Sequence, residues 1–296
     1  MVLRNSIERA CQLQALLNED SIRRTVTALG VLPSLPHTYK TLKAELDDPN
    51  ASLSKVAKIV EQNMAIYAKV LQLVNSAFFE IAHPVTNIQN AVTYLGFNNL
   101  KSLVLSVGIF ETFKSSLPAT AFSLADLEHH ARLTAGIACR LPLPKQSADV
   151  ALAAAMLHDV GKLILAWKLP DRFRDLAAES QKAQIPLVQI ERRAFGHSHA
   201  EIGAYLLALW GLPQPVVEAV VIHHRPNRLS REEFDAGAAV YVANLLANEI
   251  GPPSPPVAVR DRVENCREVL KSLGVLDAIP AWRTMAAEVP AIMTKS

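Results

Sequence analysis

The run Ala153-Ala154-Ala155-Met156-Leu157-His158-Asp159-Val160, continued by Gly161 and Lys162, sets an imidazole and a carboxylate side by side in an otherwise apolar stretch. Sinking that pair into a hydrophobic helix costs several kcal/mol unless each group finds a hydrogen bond, an opposite charge or a metal ion. The fold must therefore carry partners to this point. The same half of the chain supplies candidates at His130, His199, His223 and His224.

Apolar residues recur at helical spacing almost everywhere, and strand alternation is nearly absent. Between Thr86 and Gly96, Ile88, Ala91, Val92 and Leu95 form one face, Thr86 and Gln89 have capping-box spacing, and Gly96 can close the end. Further helices are expected over 53–62, 65–75, 100–113, 124–140, 147–167, 170–183, 188–195, 199–209, 213–224, 231–249, 259–273 and 281–292. Pro33, Pro36, Pro84, Pro118, Pro142, Pro144, Pro170, Pro213 and Pro226 fall at their boundaries rather than inside them. Half of the 296 residues are hydrophobic and only 6% are aromatic, a mix that favours packed helices over a β-sandwich. The fold class is all-α. Its expected organisation is an amino-terminal helical lobe over 1–118, a helical bundle carrying the histidines over 119–250, and a proline-led linker with short carboxy-terminal helices over 251–296.

Composition excludes several classes of partner. A formal net charge of +2 without a clustered Lys/Arg stripe gives no footprint for direct nucleic-acid binding or for anionic lipid. The segment 87–105 imitates a helix-turn-helix, but its exposed face offers only Lys101 as a phosphate anchor. The most apolar stretches, around 103–110 and 150–157, fall short of the roughly 18 residues a membrane span needs. Residues 1–24 lack the apolar core of a signal peptide. Cys11, Cys139 and Cys266, odd in number and far apart, fit reduced thiols that pack as small hydrophobes, so a cytoplasmic location is expected.

His130, then His158-Asp159 with Gly161-Lys162, then His199, then His223-His224 stand in an order that resembles metal hydrolases of the HD type. Asp159-Val160-Gly161-Lys162 and His199-Ala200-Glu201-Ile202-Gly203 resemble the Asp-x-Gly-Lys and His-x-x-x-Gly patterns of the HD-GYP branch. The resemblance implies helices of one bundle converging imidazoles and carboxylates on one or two divalent ions, iron or manganese, that acidify a water. Two departures bear on activity. The place of the final aspartate ligand holds Asn244, whose neutral oxygen contributes no negative charge, so the ion would be held weakly or not at all. Asp235 lies nine residues earlier, ~13 Å along a helix, too far to substitute. After the paired histidines the chain reads Arg225-Pro226-Asn227-Arg228, without the acidic residue and Gly-Tyr-Pro signature of the cyclic di-GMP hydrolysing branch. His129 and His197 sit on other helical faces, where surface exposure is expected.

The first half narrows the branch. Leu32-Pro33-Ser34-Leu35-Pro36, Val60 to Asn63, Lys69 to Phe79 with its Asn75-Ser76-Ala77-Phe78 stretch, and Ile88 to Gly96 are similar to the HDOD family, the HD-related output domain of bacterial signalling proteins. The similarity continues through Trp210-Gly211-Leu212-Pro213 to Pro226. It implies an amino-terminal lobe packed on an HD-like bundle and a role in signal transduction. Asn75 and Ser76 read as helix-end caps, and Phe78, Phe79 and Phe97 as core.

Three functions follow. The first is a regulatory output protein that binds a protein partner in a signalling pathway, its His/Asp centre structural or ligand-sensing, with a nucleotide as the small ligand. The second is a metal-dependent phosphohydrolase acting on a nucleotide or cyclic dinucleotide, with His130, His158, Asp159, His199, His223, His224 and Asn244 around the metal and Lys162 steadying the phosphate. The third is a helical adaptor with no centre at all.

Overall fold

The computed structural model describes residues 20–75, 85–114, 117, 123–229, 233–251 and 266–293. Among them every regular element is helical, as the periodicity requires.

The amino-terminal lobe comprises α1 (Asp20–Ala28), α2 (His37–Leu46), α3 (Leu53–Glu61), α4 (Met64–Asn75) and α5 (Ile88–Lys114). Helices α2, α3 and α4 pack on α5, the core helix of the lobe. Neither α1 nor α2 is among the expected helices. In α1 only Ile22 and Val26 are buried, a stripe too narrow to stand out among charged residues. The two helices expected over 86–96 and 100–113 run together as α5, broken only at Gly96, whose φ of 76° opens a kink that a side chain would strain. Its start is capped by Asn87, whose side chain accepts from Asn90 N–H at 2.8 Å, rather than by Thr86. Asn75 ends α4 and grips the returning chain: its amide donates to the Val85 carbonyl at 2.8 Å and accepts from the Val85 N–H at 2.6 Å. Ser76, Phe78 and Phe79 lie outside the described residues, and Phe97, expected in the core, is 40% exposed.

The second lobe holds α6 (Leu124–Ala138), α7 (Lys145–Leu157), α8 (Val160–Lys168), α9 (Pro170–Ala183), α10 (Leu187–Phe195), α11 (His199–Leu209), α12 (Gln214–Ile222) and α13 (Ala236–Ile250). Helices α6, α7 and α13 pack mutually, α11 lies against α8 and α12, and α12 against α7 and α13. From Ala151 to Leu157, α7 is wholly buried, and each of Leu152, Met156 and Leu157 stabilises by about 1.5–3 kcal/mol. The single helix expected over 147–167 is interrupted at His158-Asp159, where Asp159 leaves helical geometry at φ −99°, ψ 8°. Taken together, Lys145–Lys168 is long and apolar enough to cross a membrane, contrary to the stretch-by-stretch estimate, but 83% of the apolar window is buried inside the protein. That burial fits the core of a folded bundle.

Helix α5 packs against α7 to join the lobes. Asn99 of α5 donates to Asp149 of α7 at 2.9 Å, Lys69 of α4 pairs with Glu128 of α6, and Phe113 meets Trp167 edge-on at 5.7 Å. Past the proline-rich segment, which lies outside the described residues, come α14 (Arg267–Ser272) and α15 (Ile279–Met293). The latter docks on α6 and α13, with Arg283 forking onto Glu249 at 2.8 and 3.0 Å and Trp282 stacked on Phe234.

Candidate metal centre

The break between α7 and α8 presents the site. His158 caps the end of α7, Asp159 starts α8, and the next turn crosses α11 with the two backbones in contact. A Cβ on Gly161 would stand 1.9 Å from the His199 carbonyl oxygen, and one on Gly203 would stand 2.9 Å from the Gly161 nitrogen. The Asp-x-Gly-Lys and His-x-x-x-Gly patterns are therefore two halves of one crossing. Each glycine removes the side chain that would hold Asp159 and His199 apart.

Around Asp159, 3% exposed, the expected ligands gather. His199 Nε2 lies 3.2 Å and His223 Nε2 3.7 Å from Asp159 Oδ1, whereas His158 Nε2 lies 3.3 Å and His130 Nε2 3.9 Å from Oδ2. His224 completes a group with Asp159, His199 and His223 whose ligand atoms all lie within 4.8 Å of one another, and His130, His158 and Asp159 form a second such group. His130 comes from α6, Asn244 from α13, and Asn244 Oδ1 meets His130 Nε2 at 2.9 Å. Lys162, one turn along α8, sets its ammonium 2.7 Å from Asp159 Oδ2. Of the excluded histidines, His197 is buried at 8% rather than exposed, and His129 is half-buried. Asp235 caps α13, its carboxylate accepting from the Ala238 N–H at 2.9 Å.

The hydrogen bonds at the back of the rings decide which nitrogen faces inward. His158 Nδ1 lies 2.7 Å from the Ala155 carbonyl and His223 Nδ1 2.6 Å from the Val220 carbonyl. A carbonyl only accepts, so both Nδ1 atoms carry the proton and both Nε2 atoms present a lone pair. His199 Nδ1 meets Glu191 Oε2 at 2.6 Å, and the same oxygen accepts the His199 N–H at 2.9 Å. A carboxylate behind an imidazole is the arrangement that raises a ligand's basicity toward a metal. Four buried atoms then lack any hydrogen-bond partner: His158 Nε2, His199 Nε2, His223 Nε2 and Asp159 Oδ1. Leaving each so costs roughly 1–3 kcal/mol, and a divalent cation on the Oδ1 side of Asp159 would satisfy His199 Nε2, His223 Nε2 and Oδ1 together. The donor set of imidazole nitrogens and one carboxylate suits a transition metal, and the residues present fit one.

Burial opposes the Asp159 carboxylate, but its interactions with the His158 ring and the Lys162 ammonium outweigh it and hold its pKa well below the usual range. Burial pushes His223 down to about 4, and burial with the neighbouring His223 and His199 holds His224 well below the ordinary imidazole value. Both rings are thus neutral, ligand-ready bases at physiological pH. For His199, burial lowers the pKa but the Glu191 carboxylate overrides it and the net shift is upward.

Sequence reading missed two residues. Glu191, 0% exposed, sits in the polar-looking stretch Glu191-Arg192-Arg193, with no local signal of burial. Glu201 had one, since Ser198-x-x-Glu201 before an apolar run is a capping box: its carboxylate accepts from the Ser198 N–H at 2.9 Å and from its hydroxyl, and pairs with Arg225 and Arg192.

Fold and site together define a helical bundle of the HD type, its His/Asp cluster drawn from separate helices. The chain belongs to the HDOD domain family, whose profile matches residues 32–226. A Treponema pallidum (strain Nichols) protein is 28% identical over 229 residues, 76% of this chain, and the chain covers 44% of that relative's length. An HDOD domain protein from Geobacter sulfurreducens superposes with a TM-score of 0.68 at 23% identity, covering 90% of this chain and 96% of that one. A candidate phosphohydrolase from Shewanella amazonensis SB2B gives 0.65 at 18% identity, covering 94% of this chain and 100% of the other. These superpositions establish a shared fold.

Proposed function

We propose that this chain is a regulatory output protein of bacterial signal transduction whose His/Asp centre binds a divalent transition metal, iron or manganese, to organise the bundle, and whose outer surface engages a protein partner. The observation that carries this reading is the way the centre spends its cations inward. Lys162, the residue able to steady a phosphate, is ion-paired to Asp159, and Arg225, next to the paired histidines, is committed to Glu201. Most of the ligands are sealed, His158 and His223 at 0% exposed and His199 at 1%, and His224 is half-buried. Asn244 withholds the second carboxylate that a divalent centre would use to offset its charge. Metal acting here would tie the α7–α8 break, α11 and the end of α12 into one unit, and α15 rests on two further helices of the same bundle.

The specific observation favouring a phosphohydrolase of nucleotides or cyclic dinucleotides is the intact set of inward-facing imidazole lone pairs around Asp159. In such an enzyme the metal would supply Lewis acidity, while Lys162 would have to leave Asp159 to reach a phosphate. Manganese- or iron-loaded protein assayed against nucleotides, cyclic dinucleotides and an activated phosphodiester separates the two. The regulatory reading expects no turnover above buffer, and turnover abolished by Asp159→Ala would replace it with the enzymatic one.

A further inference from the structure

The two oxygens of Asp159 face different surroundings. On the Oδ1 side stand His199 Nε2 and His223 Nε2, both buried and without hydrogen-bond partners, as is Oδ1 itself, with His224 in the same group. On the Oδ2 side the positions are already engaged. The Lys162 ammonium sits 2.7 Å from Oδ2, and the Asn244 carbonyl oxygen, 2.9 Å from His130 Nε2, accepts the proton that this nitrogen must then carry. A protonated Nε2 has no lone pair to give a metal. What stays open on that side is His158 Nε2, one ligand atom beside an oxygen that is paired to a cation.

Resting on the reading that the centre takes a metal, we propose that it is built for a single divalent ion, held by Asp159 Oδ1, His199, His223 and His224, with Lys162 as a fixed internal cation in the place a second ion would need. The substitution of Asn for a carboxylate and the inward turn of the lysine are then one device. Removing the anion from His130 leaves the Oδ2 side too poor in charge for an ion, and the tethered ammonium neutralises Asp159 there without having to be captured from solution. Two like charges cannot share Oδ2 at contact distance, so lysine and second metal exclude one another.

Titration of chelator-stripped protein with cobalt(II), followed by calorimetry for stoichiometry and by visible absorption for the ligand field, tests this without an activity assay. Wild-type protein is expected to take up one ion per chain. His130→Ala should leave that ion in place with less than a tenfold change in affinity, whereas His199→Ala should weaken it by roughly 100-fold or more, as loss of a direct ligand requires. Lys162→Met combined with Asn244→Asp should open the Oδ2 side and raise the count to two. Two ions in wild-type protein would overturn the inference, as would a single ion lost with His130→Ala and kept with His199→Ala, or a folded double variant, by circular dichroism, that still binds only one. No binding to wild-type protein at all would instead remove the metal reading on which the inference stands.

Discussion

Glu191 carries more of the centre than its position in an Arg-rich stretch indicates. It orients His199 by accepting from both the ring and the backbone, and it is fully buried, so its charge is felt at short range in a poorly screened environment. Glu191→Gln keeps the shape and removes the charge. It should lower cobalt(II) affinity roughly 10- to 100-fold while leaving helix content unchanged, measured by calorimetry and circular dichroism. Glu201 acts on stability instead. Burial works against its carboxylate, but the Ser198 hydrogen bonds and the Arg192 and Arg225 charges prevail and bring its pKa from 4.5 to about 2. A folded pKa below the unfolded one stabilises above pH 4.5, and that contribution is lost as pH falls toward 2. At full strength it amounts to about 3 kcal/mol. Urea unfolding of metal-free protein between pH 6 and pH 3 should show a steeper loss for wild type than for Glu201→Gln, and parallel slopes would show that Glu201 does not titrate this way.

At the scale of elements, the centre depends on the crossing of α8 and α11. Gly161→Ala forces a methyl group into the His199 carbonyl, so either the helices separate or the turn at Asp159 rearranges. The expected cost is about 3 kcal/mol or more, with a parallel loss of metal affinity because Asp159 and His199 move apart. Chemical unfolding and cobalt titration of the same preparation check both, and an unchanged affinity would mean that the crossing does not position the ligands. The two glycines were legible as a pattern in the sequence, but not their reason, which lies in the meeting of residues about forty apart. The interruption at His158-Asp159 was equally hidden, because Gly161 alone is a weak helix breaker and the apolar periodicity runs through it. Helices α1 and α2 escaped notice because each buries few residues, whereas α9 and α11, with strong boundaries at Pro170 and Ser198-x-x-Glu201, were readable to the residue. The histidines betrayed themselves by apolar company. Glu191 and Arg225, among other charges, resembled a solvated surface until tertiary packing buried one and paired the other.

For the whole molecule, a metal that links helices from several parts of the second lobe must stabilise the folded chain by mass action. Manganese(II) at 100 times its dissociation constant should add about 2.7 kcal/mol, a rise in Tm of roughly 5–10 °C for a chain of this size, and Asp159→Ala should abolish the rise. Because α15 docks on α6 and α13, which both pack on α7 beside the break that carries Asp159, the same stabilisation should extend to the carboxy-terminal helix as slower amide exchange across residues 279–293. Exchange confined to the loops around the histidines would show that the extension is uncoupled from the centre. The most direct measurement is elemental analysis of wild-type and Asp159→Ala protein after equilibrium dialysis against micromolar manganese(II) and iron(II). A near-stoichiometric transition metal in the wild type, absent from Asp159→Ala, is the expected result, and a wild type that emerges metal-free, or a variant that retains its ion undiminished, would contradict the existence of the centre.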